Sequence, residues 1–156
     1  MAPRPRSRRR PTPRPDAAAP LTAGATPAPG TRSRPLRERV GAAGEAAALE
    51  LLRARGLDIL EVDWRSPLGQ VDVVAQDGDS VVIVEVKSRR GLGFGLPVEG
   101  VDARKRRKLR QLAYAYMSAS GRSGGAVRID IIGLLLDSSL RVVEASHLES
   151  AVGEAG

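Results

Sequence analysis

Two consecutive segments rich in β-branched residues, over residues 70–76 and 80–88, constrain the fold of this chain more than any other feature. The loop between them contains Asp77-Gly78, a dipeptide typical of tight β-hairpins. Residues 81–84 are apolar on both faces, which indicates a central strand covered on two sides. The sequence therefore predicts an α/β domain in which the two segments are antiparallel neighbours in a sheet.

Three charged residues of this hairpin have a spacing that suits phosphodiester cleavage. Asp72 is followed by Glu85 and, two positions later, by Lys87. Mg²⁺ is usually held by one or two carboxylates and water, and it offsets the charge that develops on a reacting phosphate. The lysine projects from the same strand face as the glutamate, where its ammonium can stabilise a transition state. The competing interpretation is a surface hairpin with solvated charges.

The hairpin turn decides how the two acids lie relative to each other. If Asp77-Gly78 is the two-residue turn, Asp72 lies opposite Ile83. If Gly78-Asp79 is the turn, Asp72 lies opposite Glu85. In both registers the two acids share a face, roughly 5 to 8 Å apart. A three-residue loop breaks this parity unless a β-bulge restores it.

A helix upstream of the hairpin carries a third acid. Residues 41–55 are rich in Ala and Leu and are followed by Gly56, a natural helix C-cap. Glu45 lies in the apolar stripe of this helix, which contains Ala42, Ala48, Leu49 and Leu52. It is therefore expected to face the sheet. The alternative is a first-turn acid that interacts with the helix dipole.

The net charge of +7 resides in an N-terminal tail. Residues 1–37 contain nine Arg and one Asp, a balance of +8, whereas the remaining residues have a balance of −1. The Arg, Pro, Ala and Thr content predicts disorder over 1–37, a folded domain over 38–150 and a disordered end over 151–156. The tail either adds salt-sensitive affinity for nucleic acid, or is a linker, or results from an upstream start codon.

Composition excludes several classes of protein. The chain has no cysteine, so it has no disulfide framework and no Cys-ligated zinc, which suits a reducing cytoplasm. The single histidine, His147, cannot build a His-rich metal site and is expected at the surface. No apolar stretch approaches the roughly 20 residues of a membrane span. We expect a cytoplasmic protein with no membrane partner.

A second helix carries a dense group of cations. Residues 104–110 contain six cations in seven positions at the start of the helix predicted over 101–119. Cations at a helix N-terminus oppose the helix dipole, so helix stability does not explain them. Contact with phosphates does, which makes Lys105 and Lys108 candidates for nucleic-acid binding. Arg89 and Arg90 follow Lys87 and are further candidates; the alternative is a solvated cationic face.

The order of the predicted elements defines a topology. We predict helices over 38–56 and 101–119, with strands near 57–64, 70–76, 80–88, 126–136 and 139–145. This order is αβββαβ with one further strand, and the second helix permits a parallel crossover. Arg128 and Asp130 are expected to pair within the fourth strand, with no catalytic role. The glycines of residues 91–95 predict a mobile loop beside the site.

Several motifs, in order, closely resemble the bacterial YraN-like family of uncharacterised proteins. They are Gly44-Glu45, residues 56–60, Trp64-Arg65, residues 69–75 and 84–89, Pro97-Val98-Glu99, Lys105 and residues 128–130. The resemblance covers about residues 38–150. It implies the Holliday-junction-resolvase-like branch of the PD-(D/E)XK nuclease superfamily, and hence a restriction-endonuclease-like mixed sheet flanked by helices.

The resemblance also implies site residues. It gives catalytic roles to Glu45, Asp72, Glu85 and Lys87, with Mg²⁺ or Mn²⁺ held by the three acids. One position departs from the family, which usually has Gly-Glu-Ile-Asp where this chain has Gly69-Gln70-Val71-Asp72. A neutral amide does not replace a carboxylate's charge. We therefore expect that Gln70 reduces the affinity of the site for a cation.

Three functional hypotheses follow. The first is a Mg²⁺-dependent endonuclease acting on structured or branched DNA, whose backbone contacts Arg89, Arg90, Lys105 and Lys108. The second is a nucleic-acid-binding module that kept this fold without catalysis, and the third is a protein-interaction adaptor. Junction resolvases act as symmetric dimers, so the resemblance implies a homodimer by analogy alone.

Overall fold

The computed structural model describes residues 34–91 and 101–152. The elements within them are α1 (Leu36–Ala54), β1 (Asp58–Ser66), β2 (Gly69–Asp77), β3 (Ser80–Arg90), α2 (Ala103–Ala119), β4 (Val127–Leu136) and β5 (Val142–Leu148). The predicted α/β class and the order αβββαβ with one further strand are confirmed. The predictions for the N-terminal tail and the glycine-rich loop fall mainly on residues 1–33 and 92–100, outside the described residues.

The described strands form one mixed sheet in the order β1-β2-β3-β4-β5. Strands β3 and β4 pair in parallel and the other neighbours pair antiparallel, so α2 lies in the crossover that a parallel pair requires. Asp77 pairs with Ser80, which makes Gly78-Asp79 the hairpin turn. Gly78 has a φ of 57°, a conformation that glycine adopts without strain. Of the two registers predicted for this hairpin, the second is present.

Each face of the sheet is covered by one helix. Helix α2 packs on the face that includes Val74 and Ile83. Helix α1 packs on the opposite face, which includes Val73 and Val84. Residues 81–84 are buried, as predicted for a central strand with apolar residues on both faces. Within the described residues, neither helix is long and apolar enough to cross a membrane.

The ends of several segments differ from the predicted boundaries, and α1 begins at Leu36, within the tail predicted to be disordered over 1–37. Val152 is buried in the core on the α2 side, and the Ala151 N–H donates to the Ile129 carbonyl at 2.8 Å, so the folded part extends past residue 150. Strand β5 begins at Val142 because Asp137 closes the preceding turn. The Asp137 Oδ1 accepts the N–H groups of Ser139 and Arg141 at 2.8 and 2.9 Å.

The prediction that His147 lies at the surface is wrong, because its side chain is fully buried against the equally buried Asp130. The distance from His147 Nε2 to Asp130 Oδ2 is 2.8 Å. Arg128 donates to both oxygens of Asp130, at 2.9 and 3.1 Å, and the Ser150 N–H donates at 3.0 Å. The predicted Arg128–Asp130 pair is therefore confirmed, within a network that satisfies a buried carboxylate.

Arg55 fixes the tautomer of His147. Its Nη1 lies 3.0 Å from His147 Nδ1, and a guanidinium only donates. Nδ1 therefore accepts, and Nε2 carries the proton that is donated to Asp130. Hydrogen bonding to Asp130 is the main cause that raises the pKa of Arg128. This network joins the end of α1 to β4 and β5.

A glycine sets the distance between α1 and β3. The buried positions of α1 are Gly44, Ala48 and Leu52, whereas Ala42 is exposed, so the predicted stripe is wrong at that position. A Cβ on Gly44 would overlap both Cβ and Oγ of Ser88. Rotation of the Ser88 side chain cannot relieve an overlap with its own Cβ. Glycine at position 44 therefore permits the close approach that brings Glu45, the next residue, to the sheet.

Gly44→Ala should lower the free energy of unfolding by about 1 to 3 kcal/mol, because α1 must move away from β3. Gly41→Ala is the matched control, since a Cβ there meets nothing within 4 Å. It should raise the same quantity by about 0.5 to 1 kcal/mol through helix propensity. Urea denaturation of both variants measures the difference. Equal effects of the two substitutions would contradict this packing.

Candidate functional site

The backbone pairing of β2 with β3 stops one residue before Asp72 is reached. The last pair is Val73 with Val84, although β2 continues to pair with β1, and β3 with β4. One position further, Asp72 Oδ2 accepts the Val86 N–H at 2.8 Å. The carboxylate thus takes the place of the next backbone acceptor. Continuing the register places Asp72 opposite Glu85, as one of the predicted turns required.

Three carboxylates from three different elements converge at this point. Glu45 of α1, Asp63 of β1 and Asp72 of β2 each offer an oxygen, and these oxygens lie within 4.8 Å of one another. Asp63 lies between the pairs Val62–Val73 and Trp64–Val71, which places it directly opposite Asp72. We call these three residues the acid cluster. An all-oxygen donor set of this spacing suits Mg²⁺ or Mn²⁺.

Asp63 is the member that sequence reasoning missed. Its φ is 53°, a value that residues other than glycine rarely adopt. Asp and Asn adopt it more often than other residues with a side chain. A signal was present in Pro67-Leu68, because a two-residue turn there pairs Ser66 with Gly69 and sets Asp63 opposite Asp72. Strands were predicted near 57–64 and 70–76, but neither a turn nor a register between them was assigned.

Gln70 orients Asp63. Its Nε2 donates to Asp63 Oδ1 at 2.8 Å. Negative charge therefore remains at this corner of the sheet, although Gln70 is an amide where the resemblance leads us to expect Glu. A carboxylate is present on the neighbouring strand and is hydrogen-bonded to that amide.

The predicted trio of Glu45, Asp72 and Glu85 is only partly brought together. Glu45 and Asp72 belong to the acid cluster, whereas Glu85 Oε1 bonds to Lys105 Nζ at 2.6 Å. The Glu85 side chain is 12% exposed and that of Lys105 is 38% exposed. Glu85 still lies close enough to raise the pKa of Asp72. Lys105, predicted to contact phosphates, thus connects α2 to the edge of the acid cluster.

The remaining predicted residues occupy two regions. Lys87, Arg89 and Arg90 line an open cavity of about 700 Å³ between the end of β3 and the start of α1. Among the described residues, Lys87 forms no ion pair with an acid. Lys108 lies on α2, where its Cε approaches Gly69 beside the β1–β2 turn.

The electrostatics of the acid cluster favour a cation. The pKa of Asp72 is raised to about 7, mainly by burial and in addition by the charges of Glu85 and Glu45. The Val86 N–H and Lys105 act in the opposite direction. Burial also raises the pKa of Glu45, and Asp63 adds to the effect. Repulsion and desolvation on this scale are relieved when a divalent ion joins the oxygens.

Comparison with known proteins identifies the family. Residues 44–134 match the model of the uncharacterised protein family UPF0102. The chain belongs to this family. UPF0102 proteins of Moorella thermoacetica and Dictyoglomus thermophilum are 43% and 36% identical to it, over 74% and 73% of this chain and 96% and 97% of theirs. A relative from Rhodococcus jostii is 43% identical over 62% of this chain and 82% of its own.

The UPF0102 match confirms the YraN-like resemblance. The matched segment contains the whole acid cluster together with Glu85, Lys87 and Lys105. The relatives share the family description, which assigns no reaction.

In metal-free buffer, the stability of this UPF0102 protein should fall relative to that of Asp72→Asn as the pH rises from 3.8 to about 7. Folded Asp72 holds its proton more tightly than the unfolded chain does, so deprotonation in this window disfavours the folded state. The Asn oxygen still accepts the Val86 N–H but does not titrate. Above this window, the variant should be more stable by on the order of 1 to 2 kcal/mol after solvent screening.

Urea denaturation of both proteins across this pH range measures the effect. All other titrating groups are common to the two chains, so their contributions largely cancel in the difference. Parallel stability profiles for the wild type and Asp72→Asn would contradict the raised pKa.

Proposed function

We propose that this UPF0102 protein is a metal-dependent endonuclease of the PD-(D/E)XK type that acts in the cytoplasm on structured or branched DNA. The observation that carries the proposal is the acid cluster, in which Glu45, Asp63 and Asp72 converge where the pairing of β2 and β3 ends. Strands and a helix position these acids, so the site is built on rigid elements.

The acid cluster would hold Mg²⁺ or Mn²⁺, which when bound polarises a phosphate and activates water. Asp72 is held in place by the Val86 N–H, and Asp63 by the Gln70 amide, so two of the three ligands are oriented by their neighbours. Fixed second partners of this kind tune and orient metal ligands. The all-oxygen set matches the preference of these ions.

The cations near the cluster would position the substrate. Lys105 lies on α2 and bonds to Glu85, so a phosphate that approaches the cluster from α2 meets this ammonium. Lys87 follows Glu85 by two positions on β3 and forms no ion pair with a described acid. Its ammonium would be available to stabilise charge on the reacting phosphate. Arg89, Arg90 and Lys108 would contact the DNA backbone further from the acid cluster.

A second function is favoured by one observation. Gln70 stands where the family usually has Glu, which fits a nucleic-acid-binding module that has lost catalysis. The Gln70–Asp63 hydrogen bond argues against it, because a carboxylate remains at this corner. The adaptor hypothesis depends on the N-terminal tail, which lies mainly outside the described residues. A homodimer is included by analogy alone, since cutting two strands of a junction needs two sites.

A cleavage assay tests the proposal. Labelled single-stranded, duplex, flap and four-way-junction DNA is incubated with the protein and Mg²⁺ or Mn²⁺, with EDTA as the metal-free control. Asp72→Asn and Lys87→Ala should each reduce the cleavage rate by at least about 100-fold, because each removes an electrostatic contact to metal or phosphate. Asp79→Asn is the matched control, since this exposed acid lies in the hairpin turn, and it should cut at the wild-type rate.

Two results would contradict the proposal. DNA binding without metal-dependent cutting, unchanged in Asp72→Asn and Lys87→Ala, would leave the nucleic-acid-binding module. Cutting that persists in Asp72→Asn at the rate of the Asp79→Asn control would place the active site elsewhere.

A further inference from the structure

Helix α2 exposes Ala103, Arg106, Ala119 and, along its length, one line of side chains. Its members follow alternating spacings of three and four residues, and they are Arg104, Arg107, Gln111, Tyr114 and Ser118. We call them the outer stripe of α2. The opposite face of the helix, including Leu112 and Tyr116, is buried in the core. The outer stripe therefore makes no contribution to the packing of α2 on the sheet.

Tyr114 is the unusual member of the outer stripe. Tyr114 is 65% exposed to solvent. By contrast, Tyr116 of the same helix packs edge-to-face on Trp64 in the core. Aromatic side chains dominate contact energies where they become buried. The helix holds this aromatic ring in solvent, where a partner with a flat surface can stack on it.

The first half of α2 carries cations that have no acidic partner among the described residues. Among the described residues, Arg104, Arg107 and Lys108 form no ion pair. They line an open groove of about 510 Å³ together with Asp102, Lys105 and Gln111. The Asp102 side chain accepts the Lys105 N–H at 2.8 Å and so acts as the helix N-cap. Cations at this end of a helix oppose its dipole, which indicates selection for a negatively charged partner.

The outer stripe begins in the turn of α2 that contacts the edge of the candidate site through Lys105. Lys105, adjacent to Arg104, bonds to Glu85 at 2.6 Å, and Glu85 raises the pKa of Asp72. Ten residues separate Arg104 from Tyr114, a rise of about 15 Å along the helix. A strand whose phosphate lies at the acid cluster can therefore continue along α2 for a few nucleotides.

We infer that the outer stripe of α2 binds a single-stranded segment of nucleic acid, with Arg104 and Arg107 at phosphates and Tyr114 stacked on a base. This inference rests on the proposed function and narrows its substrate to DNA with an unpaired arm. Cations combined with an exposed aromatic ring are the usual way to bind single strands. In continuous duplex the faces of the bases are already stacked on one another, so Tyr114 would have no surface to cover.

Fluorescence anisotropy of the full chain tests this inference. The probes are a labelled oligothymidylate and a labelled hairpin duplex of matched charge, both in EDTA so that neither is cut. Tyr114→Ala should weaken oligothymidylate binding by at least about fivefold and leave duplex binding nearly unchanged. Tyr114→Phe retains the ring and should bind as the wild type does. Tyr114 is exposed, so neither substitution should alter the fold, which thermal unfolding verifies.

Salt dependence tests the cations separately. Arg107→Ala should reduce the slope of log affinity against log salt by about 0.7 for the oligothymidylate, as expected when one phosphate contact is lost. Arg53→Ala, an exposed cation of α1 on the other face of the sheet, is the control and should leave the slope unchanged.

The outcomes separate this inference from the proposed function. Asp72-dependent cleavage by the wild type, with oligothymidylate binding unchanged in Tyr114→Ala, would overturn the inference and retain the nuclease. If the wild type binds neither probe, both fall. Loss of self-association in Tyr114→Ala, measured by light scattering with DNA affinity unchanged, would overturn the inference in favour of a contact between two copies of the chain.

Discussion

The hydrogen bond from the Val86 N–H to Asp72 Oδ2 is the interaction on which the candidate site depends. It occurs at the first position after the last backbone pair of β2 and β3, so a side chain replaces a main-chain acceptor there. This exchange holds the carboxylate near the middle of the sheet, where Asp63 lies directly opposite on one side and Glu85 on the other. Glu45 arrives from α1 because Gly44 lets the helix approach β3 closely.

A comparison of two buried acids shows why this cluster suggests function. Asp130 is fully buried, yet Arg128, His147 and the Ser150 N–H donate to it, so its charge is satisfied and its role is structural. Among the described residues, Asp72 accepts a single hydrogen bond, and burial together with the neighbouring acids raises its pKa to about 7. A group of acids that disfavours the folded state is expected to be retained when a function requires it. A divalent cation joined to the three carboxylates would meet that requirement.

Much of the fold could be predicted because hydrophobic patterning is local. The hairpin, its two possible registers and the central position of β3 followed from residues 70–88 alone. The site was predicted less completely, because Asp63 joins it through the register of the β1–β2 turn and through one strained φ angle, neither of which composition reveals. His147 was misplaced for a similar reason. A lone histidine near the end of a chain carries no sequence signal of the buried carboxylate it contacts in space.

The central claim is that Glu45, Asp63 and Asp72 hold one divalent cation. Titration of Mn²⁺ into the protein, followed by electron paramagnetic resonance of the free ion, tests it without reference to any reaction. We predict one bound Mn²⁺ per chain, an affinity reduced at least about tenfold in Asp63→Asn, and wild-type affinity in Asp79→Asn. Binding of Mn²⁺ that is equal in all three proteins, or absent from the wild type, would contradict it.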